Sequence, residues 1–470
     1  PLLSDPPMVP GLGRKVLPFP CLAQLAVRIY TQTGDIKFLT EIFPRIQETC
    51  LAWFDPSLDS DQDGLPEWAV LAQTGWSDHP TFNIFNPEHL ATRIATTESF
   101  ALGKMLVEEL VALQKIARIV GDQVTLEHAS ALQAKLTSQL EAMHTQFPEA
   151  SCWDRDSHQQ TCQAVLFEGS IIELEHQSLH LAQAARINVK LLIGLTAPKP
   201  TQVHILGESP DGKPIEETIP SAALSRLGEF LFFTTEQVYQ QIERISFPEL
   251  SDQTWLRIYV ADLTLRDIGW YLAYTPEEKL KSSEITEGAK DEFNADEEDP
   301  PQSIFASSLY GLPNYEQKTE EAIKTGSVNP AWNSLVLRHL LEVGAKPEAV
   351  ELFTSLMRGA VQVLRKEHNL FEAYNSQNTL PLGKSNSLTG LIPLQIFLQL
   401  AGIKLLAPDR VQVAGEYPFP WRLSLRYRGV EVVREGKNTT VTLPDGSVHH
   451  HYGSQPRMFI TKSENIQGEE

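Results

Sequence analysis

The chain has 470 residues, enough for more than one hydrophobic core, because single cores stop growing near ~250–300 residues. Its 60 acidic and 39 basic residues leave a formal net charge of −21, which argues against a phosphate-backbone (nucleic-acid) binder and against attraction to an anionic membrane. No apolar run reaches the ~20 residues of a membrane span, and 4 cysteines do not make a disulfide framework.

The chain opens Pro1-Leu2-Leu3-Ser4-Asp5-Pro6-Pro7, with no initiator Met and no charged-then-apolar signal pattern. It reads as interior sequence, a fragment or a processed form. The compartment stays open, with the cytoplasm favoured. Cys21 and Cys50 lie among apolar helical residues and read as core thiols; Cys152 and Cys162 flank a polar turn and are expected to be reduced. From about 20 to 33, Leu22, Leu25, Ala26, Ile29 and Tyr30 recur at helical spacing, and Gly34 ends the helix. A second helix is expected over 37–54.

An acidic loop follows, Asp59-Ser60-Asp61-Gln62-Asp63-Gly64-Leu65-Pro66-Glu67-Trp68. Alternating aspartates would repel in a helix and weaken a strand, but a tight loop around a hard cation gives them a use. Counted from Asp59, carboxylates fall at positions one, three and five, Gly64 at six, the Leu65 carbonyl at seven and Glu67 at nine. That is the ligand order of a calcium loop. Position twelve, normally a bidentate Glu, is Val70, so a further oxygen must come from elsewhere. The plainer reading is a solvated Asx-rich turn between helices.

Long helices are expected over 87–120 and 125–147. After Pro148 the period changes to two. Strands are expected over 187–195, 201–206, 229–235, 255–263 and 270–274, with a hairpin-type turn at Asp211-Gly212-Lys213-Pro214. This reads as an inserted β-sandwich, its aromatics being core or, less simply, carbohydrate contacts. From Glu277 to Asp299 there are ten acidic residues and three lysines with almost nothing apolar, the composition of a surface linker. Helices resume over 331–343, 347–367 and 388–402, then short strands over 411–413, 423–427, 430–433 and 439–443. His449-His450-His451 lies among strands, where neighbours point to opposite faces, so it makes a poor chelate.

The D-x-D/N-x-D/N-G-x-P-E-W/Y loop, closely followed by Thr74-Gly75-Trp76-Ser77-Asp78-His79-Pro80, resembles the (α/α)6-barrel glycosidases, specifically glycoside hydrolase family 63 and the mannosylglycerate hydrolases grouped with it. The resemblance implies a mainly α fold, an (α/α)6 toroid carrying the inserted β-sandwich and a small C-terminal β-element. It also implies that the first barrel helices lie upstream of Pro1, Pro6-Pro7 being similar to the Q-P-P element before a barrel helix. The expected layout is the first part of the barrel over 1–162, the sandwich over 163–275 and the acidic linker over 276–302. The second part of the barrel follows over 303–406, and the C-terminal β-element and tail over 407–470.

The same resemblance implies a structural Ca2+ held by Asp59, Asp61, Asp63, the Leu65 carbonyl and Glu67. The further ligand would come from the helix after the general acid, where Glu98 stands. It implies that Asp78 is the general acid. Ser77 stands where the family often has a second acidic or amide residue. Leu370-Phe371-Glu372-Ala373-Tyr374-Asn375 resembles the F-x-E-x-Y-N/D loop whose glutamate is the general base, and Gly383 with Asn386-Ser387-Leu388-Thr389-Gly390 follows it as in the family. The implied reaction inverts the anomeric centre, with carboxyls about 6.5–9.5 Å apart to admit one water. Trp76, Trp332 and Tyr374 would offer apolar faces to the sugar, with Asn333 beside them, and Trp68 would back the metal loop.

Two readings stand: an inverting glycosidase acting on α-glucosidic or α-mannosidic bonds, and a non-catalytic carbohydrate-binding or scaffolding protein on a glycosidase frame. A phosphorylase would need a basic phosphate-holding cluster, and none stands out. Neither the sugar nor the oligomeric state is legible.

Overall fold

The structure is a computed structural model that describes residues 8–9, 14–76, 79, 81–84, 90–148, 151–162, 164–273, 309–315, 326–407 and 410–461. Pro6, Pro7, Ser77, Asp78 and the linker expected over 276–302 lie outside the described residues. The chain divides into two compact units, Pro1–Ala273 with Tyr315–Gln317, and Tyr274–Asn314 with Lys318–Glu470.

The first unit opens with two helices, α1 (Leu22–Thr33) and α2 (Ile36–Leu51). Gly34 takes the left-handed conformation (φ 67°) that closes α1, and the Asp35 carboxylate accepts the Phe38 N–H at 3.0 Å to start α2. The same punctuation joins α3 (Phe100–Val120) to α4 (Gln123–Gln146): Gly121 stands at φ 82°, and Asp122 accepts the Thr125 N–H at 3.0 Å. Leu102, Leu106, Leu110, Leu113 and Ile116 form the buried stripe of α3. Gly103 lets α4 approach closely, since a Cβ there would lie 2.6 Å from Leu140 Cδ2. The N-terminus of α1 is capped from a distance. Buried Glu109 of α3 accepts the Ala23 N–H at 2.8 Å and the Gln24 N–H at 3.2 Å, satisfying two amides that the helix itself leaves open.

The α3 helix is shorter than its expected span of 87–120. Residues Ile94–Thr96 form a 3-10 turn and Thr97–Ser99 a strand paired with Cys152–Asp154. Consecutive β-branched threonines favour that pairing over a helix.

The sandwich consists of two antiparallel sheets. One orders Ser225–Leu227, Phe230–Thr234, Asn188–Leu192, Trp255–Val260 and Ala164–Ser170; the other orders Leu179–Ala185, Tyr239–Ser246, Gln202–Glu208 and Pro214–Pro220. Val189, Leu191, Leu256 and Ile258 from the first pack with Val203, Ile205, Ile242 and Ile245 from the second in one core. Gly212, at φ 74°, makes the turn before Pro214–Pro220. The expected strand at 270–274 is instead a 3-10 segment, Ile268–Leu272. It is started by Asp267, whose carboxylate accepts the Gly269 N–H at 2.7 Å.

The second unit carries α5 (Pro330–Glu342), α6 (Lys346–Glu367) and the short α7 (Leu394–Leu400). Pro393 immediately before α7 truncates the helix expected from 388. Antiparallel sheets supply the rest: Ser327–Val328 with Phe371–Asn375 and Pro381–Ser385, Ile403–Ala407 with Arg410–Val413 and Arg457–Ile460, and a meander from Leu423 to Tyr452. Arg434 in the meander is fully buried, and it donates to the carbonyls of Ala401 and Gly415 and to Thr439 Oγ1. The described residues thus hold helix pairs and many antiparallel strands; they do not display the expected (α/α)6 toroid.

Candidate functional site

The acidic loop is built locally. Asp63 N–H approaches Asp61 Oδ1 at 3.4 Å, and Leu65 N–H donates to Asp63 Oδ1 at 2.7 Å, so each aspartate bends the backbone two residues ahead. Gln62 (φ 61°) and Gly64 (φ 102°) take left-handed conformations, and the Lys135 side chain lies where a Cβ of residue 64 would point. Lys135 Nζ donates to the Gln62 carbonyl at 3.1 Å. Trp68 is buried behind the loop, edge-on to Trp53 with centroids 5.6 Å apart.

Glu67 forms an isolated antiparallel bridge with Glu98, which lies on the strand Thr97–Ser99 and not on the helix from which the resemblance would draw it. Trp153, opposite on the paired strand, donates its indole N–H to Glu98 Oε2. Next to that strand, the Asp154 carboxylate accepts the N–H groups of Asp156 and Ser157 and folds a turn that ends at His158 (φ 50°). His158 Nε2 then lies 3.2 Å from Asp61 Oδ2, 3.4 Å from Asp63 Oδ2 and 4.0 Å from Glu98 Oε1.

One ligand atom from each of Asp61, Asp63, Glu98 and His158 falls within 4.8 Å of every other. That is about twice a cation–oxygen distance, the span that ligands around one ion can have. Asp59 and Glu67 complete the acidic surround, Glu67 facing Arg155 at 3.7 Å. Two carboxylate oxygens of this cluster, Asp59 Oδ1 and Glu98 Oε1, are buried with no hydrogen-bond partner among the described residues. A buried carboxylate oxygen left bare costs the full desolvation penalty, so this donor set fits a cation.

The electrostatics agree. Burial raises Asp59 and lifts Asp63 to about 6, and burial together with Asp63 and Asp61 pushes Glu98 far up. Asp61 alone is lowered: burial is the largest single influence and opposes this, but the hydrogen bond and charge of His158 together with backbone amides outweigh it. His158 is raised by that same bond. His158 was not legible in the sequence as part of this site. Its only local signal is the Asp-x-x-x-His turn that presents it.

In the second unit Glu372 lies on the strand Phe371–Asn375 directly after α6, not in a loop. The pairing with Pro381–Ser385 shifts register between Phe371 and Ala373, so Glu372 sits at a bulge. Its carboxylate faces the Lys384 N–H at 3.4 Å. Gly383 (φ 72°) leaves room for it, since a Cβ there would come within 2.8 Å of Glu372 Oε2.

The expected sugar contacts are buried. Trp76 lies against His79, centroids 4.0 Å apart, and Trp332 is packed in α5. Asn333 clamps the backbone of Leu312, accepting its N–H at 2.9 Å and donating to its carbonyl at 3.0 Å. The Tyr374 hydroxyl donates to the carbonyls of Tyr310 (2.8 Å) and Leu356 (3.2 Å). Burial pushes that phenol far above its ordinary range. Asp78 lies outside the described residues, but its neighbour His79 is buried, Nε2 3.1 Å from Asp267 Oδ2, and accepts the Thr81 N–H on Nδ1 at 3.2 Å.

No family model and no curated protein matches the chain. Among solved structures it is similar to the family 63 mannosylglycerate hydrolase from Thermus thermophilus in complex with glucose. Identity is 11% and the TM-score 0.43, covering 82% of this chain and 75% of that one. It is also similar to an uncharacterized conserved protein of the same organism, with 11% identity and a TM-score of 0.44 over 82% of this chain and 77% of that one. Likeness at this level carries no assignment.

Proposed function

We propose that the chain is an inverting α-glycosidase of α-glucosides or α-mannosides, with Asp78 as general acid and Glu372 as general base. Glycoside hydrolysis by inversion needs one carboxyl to protonate the leaving oxygen and a second, ionised, to take a proton from the attacking water. The observation that carries the reading is the setting of Glu372. It stands at a strand bulge, half-buried, with a backbone N–H facing its carboxylate and a glycine cleared opposite. Such a carboxylate is oriented by the bulge and the facing amide while part of it stays open to solvent, where a water could reach it. Asp78 enters on its sequence element, between Trp76 and the buried His79. The proposed sugar contacts Trp76 and Trp332 are both buried, so each would support a sugar site from beneath, within its own unit, rather than present a face to it. Asn333 and Tyr374 serve it by holding the backbone at Leu312, Tyr310 and Leu356.

The reading includes a structural Ca2+ on Asp59, Asp61, Asp63, Glu67, Glu98 and the Leu65 carbonyl; when bound, it supplies charge neutralisation that steadies the loop preceding Asp78. The support is the pair of bare buried oxygens on Asp59 and Glu98.

The test is turnover of aryl α-glucosides and α-mannosides. Asp78→Asn and Glu372→Gln should each remove at least ~10³-fold in kcat while the melting temperature holds. Near-wild-type activity in either variant rejects that residue's role. Sugar binding by wild type without turnover selects the carbohydrate-binding alternative.

A further inference from the structure

We infer that His158 is itself a metal ligand, so that the site takes a first-row divalent cation, with Mn2+ as its representative, in preference to Ca2+. The inference rests on the cation reading above and names the ion class it prefers. Calcium is a hard cation that takes oxygen ligands, whereas imidazole nitrogen belongs to the transition metals and carboxylates suit manganese. Three carboxylates and one imidazole converging within 4.8 Å form a mixed set of that second kind.

The geometry that brings the ring there is specific. The turn capped by Asp154 ends in a left-handed His158, and the strand pairing of Thr97–Ser99 with Cys152–Asp154 sets that turn beside Glu98. Independently, Glu98 Oε1 is buried, lacks a hydrogen-bond partner among the described residues, and faces the His158 ring at 4.0 Å. A hydrogen bond from His158 to Asp61 accounts for the ring but leaves that oxygen bare; an ion between them engages both. The nearby cations are otherwise occupied. Lys135 donates to the Gln62 carbonyl, and Arg155 lies against Asp156, Glu67 and Glu236. With the ion in place, the Nε2 lone pair faces the metal and the ring proton resides on Nδ1.

The experiment uses the full chain stripped by chelator and titrated with Mn2+ or Ca2+ alone, with affinity read by calorimetry and nitrogen ligation by electron spin-echo modulation of bound Mn2+. Wild type should bind Mn2+ at least ~10-fold tighter than Ca2+ and show imidazole nitrogen coupling. His158→Gln, at a half-exposed position, should lose the coupling and at least ~10-fold in Mn2+ affinity while keeping Ca2+ affinity within about 3-fold. Glu98→Gln should weaken both ions. Unchanged Mn2+ affinity in His158→Gln, or no nitrogen coupling in wild type, overturns the inference and leaves His158 a hydrogen-bond partner of Asp61. Calcium binding without any Mn2+ preference overturns it while the cation reading stands. Binding of neither ion overturns both.

Discussion

Asp61 and Asp63 share one turn, and Glu98 reaches them from a strand, so like charges meet where burial weakens solvent screening. Without a cation the loop must hold protons or spread apart. Chelator is therefore expected to lower the melting temperature, and Ca2+ to restore it better than Mg2+, whose small octahedral shell suits this crowded set poorly. Asp61→Ala should abolish the response and Glu98→Ala should reduce it. Thermal scans with and without each ion check this, and a curve indifferent to chelator and calcium, with no metal by elemental analysis, would sink the cation site. The glycosidase reading would survive that result, since it rests on Glu372 and Asp78.

At the scale of elements, Glu109 shows how one helix secures another. Its carboxylate caps α1 from α3, and burial raises its pKa above the ordinary glutamate value. Glu109→Ala leaves two amide donors bare and is expected to cost about 2 kcal/mol or more. The sign of the pH dependence follows from the raised pKa. The stability this group contributes is fully present below the unfolded value of about 4.3 and is lost as pH rises through its folded pKa. Glu109→Gln, which cannot ionise, should gain on wild type as pH climbs from about 4 towards 7. Denaturant melts across that window read the difference directly, and a constant gap would rule out titration of Glu109. The strand at Thr97–Ser99 carries a second lesson. Helical periodicity continues into α3 behind it, so a pattern-based boundary runs too far upstream.

Over the whole molecule, the net charge of −21 sets a long-range field that repels polyanions. No retardation of duplex DNA or single-stranded RNA is expected at 150 mM salt, and specific binding by gel shift would contradict the reading of composition. The elements resting on local chemistry were legible without coordinates. Gly34 marks the end of α1 through a hydrogen bond spanning four residues, and the acidic loop folds on bonds two residues long. Asp211-Gly212 marks its hairpin for the same reason. Nothing local marks the strand Phe371–Asn375, whose register and bulge depend on Pro381–Ser385 and whose other partner is Ser327–Val328. Nor could the sequence show that Asn333 and Tyr374 spend their polar atoms on distant carbonyls and amides. The proposed cation site divides the same way. Asp59, Asp61 and Asp63 announce themselves by spacing, because consecutive residues of one turn must share its interior. Glu98 is named by the resemblance and not by spacing, and His158 by neither; both meet the aspartates through a strand pairing between residues 97–99 and 152–154, a contact whose loop-closure cost is met by tertiary burial and which leaves no periodicity in the chain.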